Sequence, residues 1–356
     1  MRRALVLVAA AGLFVSACGA GTEGTPTAAA GKATSKQTTT SRAPFDGETL
    51  GNGEVVQADK LDGIRLEPPD DGRLRSFGTA VEVVDFGTAD VVDAGGGVEY
   101  GADEDATLLA FRLRVTPFAD ELSDKVTATV SVDGRQRSLP DFEYALGTAG
   151  EDQTLQYLVG VPNDRREVEL ELKYADFAQQ FDLLDGKRTG EQPEILYRSP
   201  DEPSVYVENL TPAKLPVVSE DDEPGNYIVG VTRAELTYFT AELGDVPSAD
   251  DKAWLAVTYE PSGDGPVEDI SDALGCVLPF GSFVLTADGK PYPVVDKHSQ
   301  MEEFESERVL VFEVPSSLTE ATLTVKAQPF SCASGGNDYP YRATAEATVE
   351  ITLPED

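Results

Sequence analysis

The sequence is poor in the residues from which most enzyme centres and many ligand sites are built. It has one histidine, one tryptophan, two methionines and three cysteines in 356 residues. A single imidazole excludes multi-histidine metal sites and leaves His298 as the one candidate for histidine-dependent catalysis. His298 lies in the polar run DKHSQ, which reads as a solvated loop, and no serine stands in a Gly-x-Ser-x-Gly elbow. Basic residues are also scarce: 28 Lys and Arg face 64 Asp and Glu, for a formal charge of −36. Such a surface repels phosphate backbones, so nucleic acid is not an expected partner. With so many acids, neighbouring carboxylates occur throughout and do not single out a glycosidase pair. Long stretches with helical period are missing, and no apolar run reaches the ~18 residues that would span a membrane.

What is present begins at the N-terminus. Arg2 and Arg3 precede the apolar stretch 4–15 (ALVLVAAAGLFV), the layout of a signal peptide over 1–17. The run Val15-Ser16-Ala17-Cys18-Gly19 resembles the bacterial lipobox, a branched residue and two small ones before a cysteine that is lipidated. That resemblance implies cleavage before Cys18 and a lipid on its thiol, which would anchor the chain to the extracytoplasmic face of the cell membrane. Losing Arg2 and Arg3 takes the charge to −38. Residues 18–45 then form a lipidated flexible stalk, because 19–44 are almost wholly Gly, Ala, Thr, Ser and Pro and cannot offset chain entropy by burial. Such a stalk reaches roughly 30 Å on average.

From residue 46 the chain breaks into short alternating runs punctuated by Gly, Pro, Asn and Asp. Seven strands are predicted in the first half, at 80–86, 108–115, 125–132, 134–139, 155–161, 168–174 and 180–184. Seven more follow at 234–240, 254–260, 282–286, 290–295, 308–314, 321–327 and 343–352. The halves align: VGVPNDRREVELELKY (159–174) matches FEVPSSLTEATLTVKA (312–327) at an offset of 153, with Val161/Val314, Pro162/Pro315, Glu167/Glu320, Leu170/Leu323 and Lys173/Lys326 identical. Asp133-Gly134 and Asp288-Gly289 mark equivalent two-residue hairpins. Upstream, Leu109-Ala110 falls on Leu255-Ala256, which sets Trp254 on Leu108 at a strand start and predicts a place in the core or at its edge. The fold class is therefore all-β, two tandem immunoglobulin-like β-sandwich domains after the signal peptide and stalk. Domain 1 spans 46–200 and domain 2 spans 201–356, with the boundary at SPDEP (199–203).

A strand ending in an apolar-x-Val-Pro step (LVGVP, LVFEVP), then a short loop and an alternating strand (VELELKY, ATLTVKA), resembles the immunoglobulin-like domains of Gram-positive lipoproteins. The composition, rich in Ala, Gly, Thr, Val and Asp, resembles an actinobacterial proteome. The resemblance implies a sandwich fold in an extracytoplasmic setting and carries no catalytic residues.

In that oxidising setting Cys276 and Cys332 are expected to form a disulfide. The acidic runs Asp103-Glu104-Asp105 and Asp250-Asp251 fall at equivalent places before the second strand of each repeat, and Glu220-Asp221-Asp222-Glu223 falls where the inter-domain linker ends. Converging carboxylates of this kind are candidates for Ca²⁺, although none has the spacing of a known calcium loop. Tyr339-Pro340-Tyr341 is a candidate aromatic tip or a cover for one sandwich end. The functional expectation is a non-enzymatic envelope lipoprotein that binds an envelope protein or glycan, with no required cofactor. A transporter's solute-binding lipoprotein and a wall-active hydrolase are the alternatives.

Overall fold

Period-two alternation runs along nearly the whole folded chain, and the computed structural model is accordingly an all-β sandwich fold. It describes residues 45–118, 125–147, 150–165, 167–190, 192–199, 203–240, 244–267, 275–301, 306–334 and 337–355. Residues 1–17, Cys18 and the stalk up to residue 44 lie outside these, as do 200–202 at the predicted boundary. Asp46–Asp356 group together as one packed unit.

The first half contains β1 (Glu48–Leu50), β2 (Val55–Gln57), β3 (Arg73–Ser76), β4 (Thr79–Ala89), β5 (Val91–Gly95), β6 (Val98–Ala102) and β7 (Ala106–Pro117). It continues with β8 (Val126–Val132), β9 (Arg135–Ser138), β10 (Gln153–Pro162), β11 (Val168–Tyr174), β12 (Phe177–Asp182) and β13 (Lys187–Thr189), followed by a four-residue helix α1 (Ile195–Arg198). Two five-stranded sheets, β2-β10-β7-β4-β3 and β13-β12-β11-β8-β9, enclose one core. A third sheet, β1-β6-β5, lies apart from these two.

The second half contains β14 (Ser204–Glu208), β15 (Ala213–Ser219), β16 (Pro224–Thr237), β17 (Lys252–Asp264), β18 (Cys276–Val277), β19 (Phe283–Ala287) and β20 (Lys290–Pro293). Its last strands are β21 (Arg308–Pro315), β22 (Glu320–Val325), β23 (Pro329–Ser334), β24 (Asn337–Ala343) and β25 (Ala347–Thr352). Here the sheets are β18-β23-β24-β15-β16-β17-β21, with β14 also on β16, and β20-β19-β22-β25.

Strand register repeats between the halves. Leu109 opposes Val159, and Leu255 opposes Phe312, which are the pairs aligned from sequence. β4 carries a bulge at Val84 opposite Leu113/Arg112, and β16 carries one at Thr232 opposite Tyr259/Thr258, the same place in the repeat. Leu170 pairs with Val130 and Phe181 as Leu323 pairs with Leu285 and Val349. Both Asp-Gly turns have positive φ at both residues, 47° and 83° at Asp133-Gly134 and 50° and 70° at Asp288-Gly289, as a two-residue hairpin matching strand twist requires.

The predicted final strand over 343–352 is present as β25, shortened to Ala347–Thr352, and more structure precedes it. An inserted hairpin, β23–β24, joins the larger sheet through β15, and β25 alone completes the smaller one. Tyr341 is buried in β24 and stacks on Phe330, with Tyr339 and Pro340 left exposed, so this segment is a strand and not a recognition tip. Glu220–Glu223 form the β15–β16 turn, closed by Ser219 with Glu223, and not the end of a linker.

Among the described residues no sheet crosses from one half to the other, but packing does. Phe77, Tyr174 and Phe177 of the first half meet Tyr238 and Phe239 of the second, with ring centroids 5.1 to 6.0 Å apart across the junction. Gly244, at φ 62°, lies where a Cβ would fall 2.3 Å from the Tyr174 hydroxyl, so this close approach admits only glycine. Arg198 at the end of α1 donates to the carbonyls of Ser316, Leu318 and Pro354.

Cys276 and Cys332 oppose each other on β18 and β23 and are disulfide-bonded, both fully buried. The bond tethers the inserted hairpin across a sequence separation of 56. By the chain-entropy account it is worth about 4 kcal/mol. In guanidinium without reductant neither of these thiols should titrate, whereas the double variant Cys276→Ser/Cys332→Ser should lose about that much unfolding free energy in a urea melt. Two titratable thiols in the unreduced chain would overturn the pairing.

Candidate functional site

The central strands of the larger sheets are apolar on both faces over their first turns of alternation. In β7, Leu109, Phe111, Leu113 and Val115 enter the sandwich core, while Leu108 and Ala110 point to the opposite, outer face. The outer face then turns polar at Arg112 and Arg114, which pair with Asp85 and Glu82. β17 follows the same plan: Leu255, Val257 and Tyr259 face the core, and Trp254 and Ala256 face outward before Thr258 and Glu260. Trp254 is thus buried, at 5% exposure, but outside the sandwich core.

In the first half this outer face is closed by the chain itself. Leu50 of β1 and Val92 and Ala94 of β5 join Leu108, Ala110 and Leu158 in a second, smaller core. The cover approaches so closely that a Cβ on Gly160 would lie 2.1 Å from the Gly51 carbonyl oxygen. The equivalent position in the second half is Glu313, whose carboxylate accepts the Ser248 amide at 2.6 Å.

In the second half the segment between β16 and β17, equivalent to β5–β6, forms no strand among the described residues. Its Tyr238 and Phe239 pack into the aromatic junction, and Phe239 also lines the space over the outer face. The outer face is left with a cavity of about 340 Å³. Trp254, Ala256, Val309 and Val311 form its floor; the β3–β4 turn with Phe77 and Gly78 forms one wall, and the segment 297–300 another.

That second wall is held by the edge of β21. Gln300 and Val309 exchange backbone hydrogen bonds at 2.8 and 2.9 Å, and Ser299 Oγ accepts the Val311 amide while donating to the Val295 carbonyl. The 3₁₀ turn Asp296–His298 lays the imidazole edge-on against Trp254, with ring centroids 4.9 Å apart. The Trp254 indole N–H donates to the Asp245 carbonyl at 2.9 Å. His298 is therefore not a solvated loop residue: its side chain is 0% exposed. Neither ring nitrogen has a hydrogen-bond partner among the described residues, and Nε2 lies 3.6 Å from the Asp245 carboxylate. Burial lowers its pKa from the usual 6.5, the neighbouring Lys297 adds to the shift, and Asp245 opposes it.

The acidic runs singled out from sequence do occupy equivalent turns. The carbonyls of Asp105 and Asp251 accept the amides of Asn163 and Ser316, each at 2.9 Å. Their role there is to close turns through the backbone. Asp103, Glu104, Asp105, Asp250 and Asp251 are exposed, and among the described residues no three acidic, histidine or cysteine side chains gather to hold a metal ion. The calcium expectation has no coordination geometry to rest on among those residues.

The imidazole generates a pH dependence. Its folded pKa lies below the unfolded one, so the unfolded chain takes up a proton first as pH falls below about 6.5. The stability of the neutral buried ring is fully present above that pH and is lost on acidification. In thermal melts, wild type should lose stability relative to His298→Phe between pH 7 and 5, with no such divergence between pH 7 and 8. Parallel pH profiles for the two proteins would overturn this. No family model, curated protein or solved structure matches the chain, so the site is read from its own geometry.

Proposed function

We propose that the chain is a lipid-anchored envelope protein, held on the extracytoplasmic face of the membrane through Cys18, and that it works as a non-enzymatic binding module. On this reading its two halves are tandem immunoglobulin-like sandwiches, 46–200 and 201–356, carried clear of the lipid by the stalk. The observation that carries the binding role is the outer face of β16, β17 and β21, which is apolar like its counterpart on β7 and β10 but is left open as a cavity. Small-molecule sites are cavities of this order, about 300 to 1,000 Å³.

Three further features support it. The lipobox-like run ending at Cys18 gives a route to the membrane. The buried Cys276–Cys332 disulfide suits an oxidising compartment. The side chain of the one imidazole is 0% exposed, which argues against its use as the accessible base of a hydrolase. A nearly all-β chain also supplies no alternating α/β lobes of the kind a transporter's solute-binding lipoprotein would use.

Anchoring is tested by Cys18→Ser in an exporting Gram-positive host. The wild-type protein should sediment with membranes and partition into detergent, and the variant should appear in the medium at equal total yield. A variant that still sediments with membranes would overturn the anchor.

A further inference from the structure

The two halves pose the same physical problem and solve it differently, and the difference defines what the cavity can hold. On the first half, the occupant of the outer face is hydrocarbon: the side chains of Leu50, Val92 and Ala94 against Leu108, Ala110 and Leu158. Aligned by register, Leu108, Ala110 and Leu158 correspond to Trp254, Ala256 and Val311. The floor has kept its apolar character, while among the described residues the chain's own cover over it is incomplete. A partly covered patch of this kind is stabilised by whatever apolar surface excludes water from the remaining space.

Charge narrows the ligand further. The cavity wall contains two charged residues, Glu235 and Lys297, of which Glu235 is satisfied within the chain. Glu235 accepts from Ser204 Oγ at 2.5 Å and from Arg233 Nε at 3.0 Å, and Arg233 in turn stacks on Tyr206. Lys297 Nζ lies 3.5 Å from the Asp245 carboxylate, and its side chain is 69% exposed, so the ammonium keeps its hydration. A charged ligand would lose its hydration on entry, and the unpartnered polar atoms of the lining, Ser76 Oγ and the two His298 ring nitrogens, carry no charge to replace it. An anion would in addition meet the field of a chain with 64 acidic residues.

We infer that the cavity over Trp254 is a binding site for a small, uncharged, predominantly hydrocarbon molecule, which takes the place that Leu50, Val92 and Ala94 fill in the first half. This rests on the reading of the chain as a binding module and adds the chemical class of its ligand. The floor also supplies its own reporter, because Trp254 is the one tryptophan in the chain.

The test uses the full chain with Cys18→Ser, purified from the medium, and two matched dyes. N-phenyl-1-naphthylamine is uncharged; 1-anilinonaphthalene-8-sulfonate has the same skeleton and carries a sulfonate. The uncharged dye should bind saturably at one site, quench Trp254 and emit by energy transfer from it, whereas the sulfonate should bind about tenfold or more weakly. Ala256→Phe, which fills the floor, should abolish the transfer signal while leaving the thermal melt cooperative. Thr237→Glu, at a position paired with Trp254 on the same face, puts an unpaired charge beside the floor and should weaken the uncharged dye about tenfold. It keeps the test open if Ala256→Phe does not fold. Absence of saturable binding, binding without any change at Trp254, equal affinity for both dyes, or affinity unchanged in the folded variants would each overturn the proposal. Cys18-dependent anchoring is measured separately, so failure here would leave that part of the functional reading standing.

Discussion

The architecture depends on one hydrophobic constraint: the central strands of both larger sheets carry apolar side chains on two faces, and each face must be kept from water. A half-buried antiparallel strand alternates, sending one set inward and leaving a polar set outside. β7 and β17 obey this only over their later residues, where Arg112 and Arg114 or Thr258 and Glu260 face out. Earlier, at Leu108 and Ala110 or Trp254 and Ala256, both faces are apolar. A sandwich partner covers only one side, so something else has to cover the other.

The two halves differ chiefly in how that second cover is made. The first half uses sixteen or so residues between β4 and β7 together with β1, and the backbone lies so close that Gly160 admits no side chain. In the second half the corresponding segment is diverted. Tyr238 and Phe239 pack against Phe77, Tyr174 and Phe177, tying the halves into one continuous core. The cost of that diversion is an incomplete cover over Trp254, where the segment 297–300 and the Phe77-Gly78 turn leave a cavity between them. The junction between halves and the candidate site are consequences of the same few residues. Two of the five rings that join the halves, Tyr238 and Phe239, come from the segment whose counterpart closes this face in the first half, and Phe239 also lines the cavity.

Much of this was legible in the sequence, because period-two alternation and Asp-Gly turns are local signals. They give the principal strands and the internal repeat, and the repeat places Trp254 on Leu108 before any coordinates are known. The structure extends that alignment to matching registers and to matching bulges at Val84 and Thr232. Short edge strands such as β1, β2 and β14, and the inserted hairpin β23–β24, carry too few alternating residues to announce themselves. The burial of His298 is hidden in the sequence for a related reason. Its neighbours in sequence are polar, and the residue that buries it, Trp254, lies more than forty positions away. The acidic runs differ in the opposite sense: they stand at equivalent turns, but their carbonyls make the turn contacts and their side chains are exposed, with Asp250 also accepting from the Tyr238 hydroxyl.

By itself, then, the sequence determined the all-β class, the repeat, the hairpin turns and the pairing available to Cys276 and Cys332, since each follows from local periodicity, turn stereochemistry or a count of thiols. Which face of each central strand is covered, and by what, was decided only in three dimensions. Alternation assigns a residue to a face without saying what lies above that face, and the answer depends on segments brought together from distant parts of the chain. For this protein that undetermined part is also where the candidate site lies, over Trp254.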